Sequence, residues 1–184
     1  KLMKPKIYKK NDAFIVYKKY DKKDNYQYYL MISDLHYDSK KCNRKLLKQH
    51  LDEALEKDAI IFLFGDIFDC MGGKYDKRTS KADIRPEYNT STYFQDIVKD
   101  AAKFLMPYKD NIGIIADGNH ETAVKMRHEI DLLDDLRLRL DPTEEKILRG
   151  KYNGFIRFQF EHKNKGSRKS SLLYLSFEYL TQYS

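Results

Sequence analysis

The chain predicts a single layered α/β domain, and three observations carry that expectation. Two uninterrupted apolar runs, Ala59–Phe64 and Ile112–Ala116, have the length and β-branched content of strands covered on both faces. Segments with apolar residues at three- and four-residue spacing lie between and after them, at Asn43–Lys57, Ser91–Met106 and Glu121–Leu140. The 184 residues suffice for one hydrophobic core and not for two. Strands alternating with helices argue for layers built on a mostly parallel sheet.

Each element has its own local reason. Ala13–Lys18 and Tyr26–Ser33 are rich in β-branched and aromatic residues and flank the polar stretch Asp21–Asn25, so residues 1–30 read as a basic edge hairpin. In Asn43–Lys57 the periodic set is Leu46, Leu47, His50, Leu51, Ala54 and Leu55. Residues 70–90 carry Gly72, Gly73 and Pro86 among scattered charges and read as a long loop, a length usually tied to function or disorder. The helix from Ser91 stops before Pro107. Asp141-Pro142 has the form of an N-cap with proline in the first helical position, and Gly150 that of a stop. Tyr152–Phe160 and Leu172–Tyr179 flank a polar, glycine-containing turn, as in a hairpin. No repeat or linker divides the chain, so residues 1–184 are expected to form one domain.

Composition removes several classes of function. Cys42 and Cys70 stand in no CxxC, which excludes a disulfide framework and a cysteine–zinc module. No apolar run is long enough to span a membrane, and the lysine-studded start lacks a secretory pattern, so a cytoplasmic protein is expected. The 35 basic and 28 acidic residues give a net charge of +7. That excess lies at the edges: residues 1–24 hold nine lysines against three aspartates, while the middle of the chain is near neutral. Lysines mixed with tyrosines in the first 29 residues suit single-stranded nucleic acid, and equally suit a solvated edge hairpin.

The chemistry gathers where the apolar strands end. The first leads into Ser33-Asp34-Leu35-His36, the second into Gly65-Asp66-Ile67-Phe68-Asp69, and the third into Asp117-Gly118-Asn119-His120-Glu121. In open α/β sheets ligands bind beyond the carboxyl ends of the strands, so groups distant in sequence converge there. Mixed oxygen and imidazole ligation suits Mn, Fe, Zn or Ni, and an acidic bridging residue suits two metals. Two positions apart at a strand end, Asp34 and His36 are expected to leave on one side and share one ion.

Through D-L-H, G-D-I-F-D and G-N-H-E, over about residues 26–121, the sequence resembles the calcineurin-like metallophosphoesterase superfamily. The resemblance implies an α/β sandwich of that type and a two-metal site hydrolysing phosphomonoesters or phosphodiesters. It implies that Asp34 and His36 bind one ion, that Asp66 bridges both, and that Asn119 binds the second. His120 would protonate the leaving oxygen, with Glu121 orienting its ring. Asp69 fits a partner that orients a ligating histidine. In the loop, Arg78, Lys81 and Arg85 are candidates for gripping a phosphate-rich substrate. The family's later histidine motifs are absent: where the first is expected, the chain reads Ser176-Phe177-Glu178-Tyr179. The second metal site is thus expected to be incomplete, through truncation, a frameshift or loss of catalysis, with the sandwich incomplete at its C-terminus. A phosphate ester is the expected substrate. Nucleic acid, cut by a nuclease of the same superfamily, is the alternative, and a non-catalytic partner-binding module the other. His50, His128 and Cys70 read as packing or surface residues, and His162 as a turn residue.

Overall fold

A computed structural model describes residues 4–11, 13–20, 26–73, 82–162 and 170–178, with residues 20, 162 and 170–178 by backbone alone. The elements in chain order are β1 (Lys6–Lys10), β2 (Ala13–Tyr20), β3 (Tyr29–Ile32), α1 (Arg44–Glu56), β4 (Ile60–Phe64) and α2 (Tyr93–Leu105). After them come β5 (Ile112–Ala116), α3 (Asn119–His128), α4 (Leu132–Leu140), β6 (Leu148–Arg149), β7 (Asn153–His162) and β8 (Ser170–Glu178).

Two four-stranded sheets result, in the orders β3-β4-β5-β6 and β1-β2-β7-β8. The first is parallel throughout, and helices cover one of its faces. Pleat alternation assigns the side chains of β4. Ile61 and Leu63 join Leu51, Ile97, Leu133 and Leu136 under the helices, while Ile60 and Phe62 meet Phe14, Val16, Ile156 and Phe158 of the second sheet. The layers are therefore helix, sheet and sheet, each interface lined by buried apolar side chains. Burying a side chain such as Phe62 contributes about 1.5–3 kcal/mol.

Gly113 is a bulge that lets β5 serve both interfaces. Ile61 pairs with Ile112 and Phe62 with Ile114, leaving Gly113 extra. Ile112 accordingly packs under the helices and Ile114 between the sheets, although they share parity. A Cβ on Gly113 would stand 2.5 Å from Ile7 Cδ1 and 3.1 Å from Ile60 Cγ2, so glycine lets these side chains settle directly over the bulge.

Several expectations from the sequence are corrected. The edge hairpin is β1 with β2, closed between Lys10 and Ala13 with Asn11 at φ 55°, whereas β3 belongs to the other sheet. The left-handed conformation at Asn11 suits a tight hairpin turn, and the lysines of β1 hid its strand character behind charge. The periodic stretch 121–140 is two helices, parted where Glu129 takes φ 57° and Asp131 caps α4 by accepting from Asp134 N at 3.0 Å. Asp141-Pro142 starts no helix. The Asp141 carboxylate instead accepts from the amides of Lys146 and Ile147 at 2.8 and 3.0 Å, which turns the chain into β6. Of the periodic residues on α1, only Leu47, Leu51 and Ala54 are buried. Among the described residues no helix is long and apolar enough to cross a membrane.

Candidate metal centre

Strands β3, β4 and β5 end level with one another, and the residues just beyond them bend sharply. Asp34, His36 and Asp66 have φ of 55°, 43° and 46°, beside Gly65 at 65°. Left-handed backbone at a non-glycine residue costs of order 1–3 kcal/mol and persists only where neighbours fix it. The fixing bonds are Asp34 N to Gly65 O at 3.2 Å, His36 N to Asp66 O at 3.0 Å and Tyr37 N to Ile67 O at 2.8 Å. Because Asp34 and His36 have left the pleat, strand parity no longer relates their side chains. Asp34 is exposed while His36 is half-buried.

The bends bring His36, Asp66 and His120 together, with one donor atom from each lying within 4.8 Å of the others. The imidazoles meet edge to face, centroids 4.9 Å apart. His120 Nε2 lies 3.6 Å from Asp66 Oδ2, and the amide of His120 donates to Asp66 Oδ1 at 3.0 Å. Asp69 touches both rings. Its carboxylate accepts from His36 Nδ1 at 2.8 Å and its carbonyl from His120 Nδ1 at 2.5 Å. The first bond, ahead of the opposing effect of burial, raises the His36 pKa above its ordinary value. With both Nδ1 atoms engaged, the Nε2 atoms remain free of these bonds, so the Asp66 carboxylate and the His36 nitrogen fit a borderline divalent ion, with the His120 ring beside them.

Glu121 is buried and turned to the backbone, where its oxygens accept from Phe68 N at 2.9 Å and Asp66 N at 3.2 Å. It braces the Asp66 bend, and the His120 ring is held by Asp69 instead. Burial pushes the Glu121 carboxyl well above the usual carboxylate range, against the lowering effect of those amides. Gly118 makes the brace possible, since a Cβ there would stand 2.1 Å from Asp66 N.

The remaining candidates are scattered. Asn119 opens α3 beside His120 and is half-buried. Asp117 pairs with Arg149. Arg85 does not reach over the site: its guanidinium donates to the carbonyls of Ser39 at 3.1 Å and Cys42 at 2.9 Å, bonds that tie the loop to the start of α1. Arg78 and Lys81 lie outside the described residues, as does the His162 side chain. His50 is exposed on α1, and His128 packs edge-on to Phe94. Cys70 is fully enclosed, and burial pushes its thiol far up. The sequence reading missed Asp38 and Tyr93. The buried Asp38 carboxylate accepts from Asp69 N at 2.6 Å, from Cys70 N at 3.2 Å and from the Tyr93 hydroxyl. Aspartate in a loop ordinarily signals only a turn, so the pattern gave no warning.

A parallel sheet delivering carboxylates and imidazoles to its carboxyl edge is an arrangement suited to holding a divalent metal ion. Residues 28–180 match the family model of the calcineurin-like phosphoesterases, and the chain belongs to that family. The match continues well past the motifs, through β6, β7 and β8, whereas β1 and β2 precede it. No curated protein and no solved structure gives a significant match.

Proposed function

We propose that this chain hydrolyses phosphate esters at the cluster of His36, Asp66 and His120. The convergence of these donors within 4.8 Å, from three separate strand ends, carries the reading. His36 and Asp66 would hold a divalent ion, and Asp66 would also serve as a ligand to a second. Asp34 and Asn119, on the same strand-end segments, are the proposed outer donors. Divalent ions bound there supply hydroxide near neutral pH and neutralise the phosphate oxygens.

The protein's own contribution is orientation and a proton. Asp69 O accepts from His120 Nδ1, so a protonated His120 carries its second N–H on Nε2, on the side facing Asp66. From there it can protonate a leaving oxygen, and the Asp69 carbonyl steadies the imidazolium. Glu121 and Gly118 keep Asp66 in its left-handed bend, and Arg149 neutralises Asp117 at the end of β5. The stacked Tyr26 and Tyr28 precede β3, at the end of the sheet away from the cluster, and give no support to a nuclease.

Calorimetric titration with Mn²⁺ tests the reading, alongside hydrolysis of 4-nitrophenyl phosphate and its bis ester. Binding and turnover are expected in the full chain, with both lost in Asp66→Asn and His36→Ala. His120→Ala is expected to keep the metal and lower kcat. No metal uptake by the unaltered chain overturns the site, and uptake without turnover of either ester overturns the hydrolase.

A further inference from the structure

Asp69 is a single residue in contact with both histidines, and it is itself held. It lies in the loop after β4, next to Cys70 at φ 60°, a conformation a non-glycine residue keeps only under constraint. That constraint comes from Asp38, whose buried carboxylate takes the amides of Asp69 and Cys70 on its two oxygens, at 2.6 and 3.2 Å. A third donor, the hydroxyl of Tyr93 at the start of α2, meets the same carboxylate. The Tyr93 ring is in turn fixed at 2.6–2.7 Å from the place a Cβ on Gly72 would take, so the loop closes over the ring without room to slide.

Resting on the reading of His36 and His120 as site residues, we infer that Asp38, clamped by Tyr93, is the positioning residue for both histidines. It sets the Asp69 carboxylate that meets His36 and the Asp69 carbonyl that meets His120. Both Asp69 groups are acceptors, so each imidazole must carry its proton on Nδ1 and turn a bare Nε2 into the cluster. Free histidine prefers the opposite tautomer, with Nε2 protonated and unable to coordinate. Asp38 thus acts at second hand: it touches neither ring, yet its two amide bonds decide which nitrogen of each ring is free. Partners of this kind typically change metal affinity roughly 10–100-fold. Tyr93 extends the chain of contacts into α2 and the helical core, so the packing of that helix bears on the cluster.

The test reads the tautomers directly, by nitrogen-15 NMR of the histidine-labelled, metal-free full chain, with Mn²⁺ affinity as a second measurement. Wild-type His36 and His120 are expected in the Nδ1–H form. Asp38→Asn places an N–H₂ group against an amide N–H, and should move both rings towards the Nε2–H form while weakening Mn²⁺ roughly 10–100-fold. Tyr93→Phe removes one donor of three and should produce a smaller shift in the same direction. Leu133→Ala, which destabilises the helical core away from the loop, should leave both tautomers unchanged. Wild-type tautomers in Asp38→Asn overturn the inference, as do equal shifts in Leu133→Ala. Should Asp38→Asn fail to fold, Tyr93→Phe decides, and unchanged rings there overturn it. Because the tautomers are read without metal, a chain that binds no Mn²⁺ refutes the metal reading separately.

Discussion

Gly118→Ala places one methyl group at the tightest point of the structure. The new Cβ would lie 2.1 Å from Asp66 N, 2.2 Å from Asp66 Oδ1 and 2.8 Å from Glu121 Oε2. Comfortable contact needs about 3.5–4.0 Å, so either β5's end or the Asp66 bend must move by over about 1 Å. The nearest of these atoms is a backbone nitrogen, which cannot swing aside as a side-chain tip can. Overpacking of this sort costs about 1–3 kcal/mol. The shift also breaks Asp66 N to Glu121 and His120 N to Asp66 Oδ1, each leaving a buried polar group at about 1–3 kcal/mol. A total of about 3–9 kcal/mol lowers Tm by roughly 6–36 °C in a chain of this size. Thermal unfolding followed by circular dichroism measures it, and Mn²⁺ titration of the variant should show lost affinity even well below its Tm. Gly73→Ala is the control: its Cβ meets the Phe94 ring edge at 3.1 Å, His128 Nε2 at 3.4 Å and Cys70 O at 3.6 Å, and the expected loss is under about 1 kcal/mol. A Gly118→Ala protein melting within about 3 °C of wild type, with unchanged Mn²⁺ affinity, would refute the account of the brace.

Two further changes probe the fold away from the cluster. Glu129, at φ 57° after α3, occupies a position that favours glycine, so Glu129→Gly should stabilise by about 0.5–1 kcal/mol, read as a higher urea midpoint at unchanged slope. Burial alone would raise the Asp141 carboxyl, but the amides of Ile147 and Lys146 and the Thr143 hydroxyl outweigh it and hold it below its ordinary 3.8. The native state therefore binds that proton less readily than the unfolded chain. The resulting stability is complete above the unfolded pKa and disappears as pH falls through the folded one. Asp141→Asn should cost about 1–2 kcal/mol at pH 7 and flatten the acid limb of the stability profile below about pH 4. A variant with the wild-type acid limb places the acid sensitivity elsewhere.

The fold was legible wherever one interaction dominated a segment. Ile60–Phe64 and Ile112–Ala116 are apolar because both faces are covered, and no alternative element buries such short runs so fully. The motifs at their ends were legible for a related reason, since a parallel sheet gathers its carboxyl ends on one edge. Legibility failed where a long-range contact overruled a local one. The stretch 121–140 keeps helical spacing across the break at Glu129, because the break depends on one left-handed residue and on the Asp131 cap. The lysines of β1 read as solvent-facing, yet their strand is fixed by register with β2 and by Ile7 over Gly113. Strand parity failed for Asp34 and His36 because it presumes extended backbone, and both are left-handed.

That last failure indicates how this edge of the sheet is built. Left-handed residues at Asp34, His36, Asp66 and Cys70 each store strain, and each lies beside a group that turns inward. Extended strand ends would splay the donors apart along the pleat; sharp bends turn them towards one point. The strain is then held by braces of separate origin. Glu121 and Gly118 hold Asp66 from the third strand end, while Asp38 and Tyr93 hold the Asp69 loop from the helical side. Asp66 and Asp69 already set two carboxyl groups at the place where cations are proposed to sit. A bound divalent ion would offset the mutual repulsion of these carboxylates as well as join the donors. Metal binding should therefore raise thermal stability beyond what coordination by His36 and Asp66 alone supplies. Neutralising Asp69, as in Asp69→Asn, should diminish that gain without removing a proposed ligand.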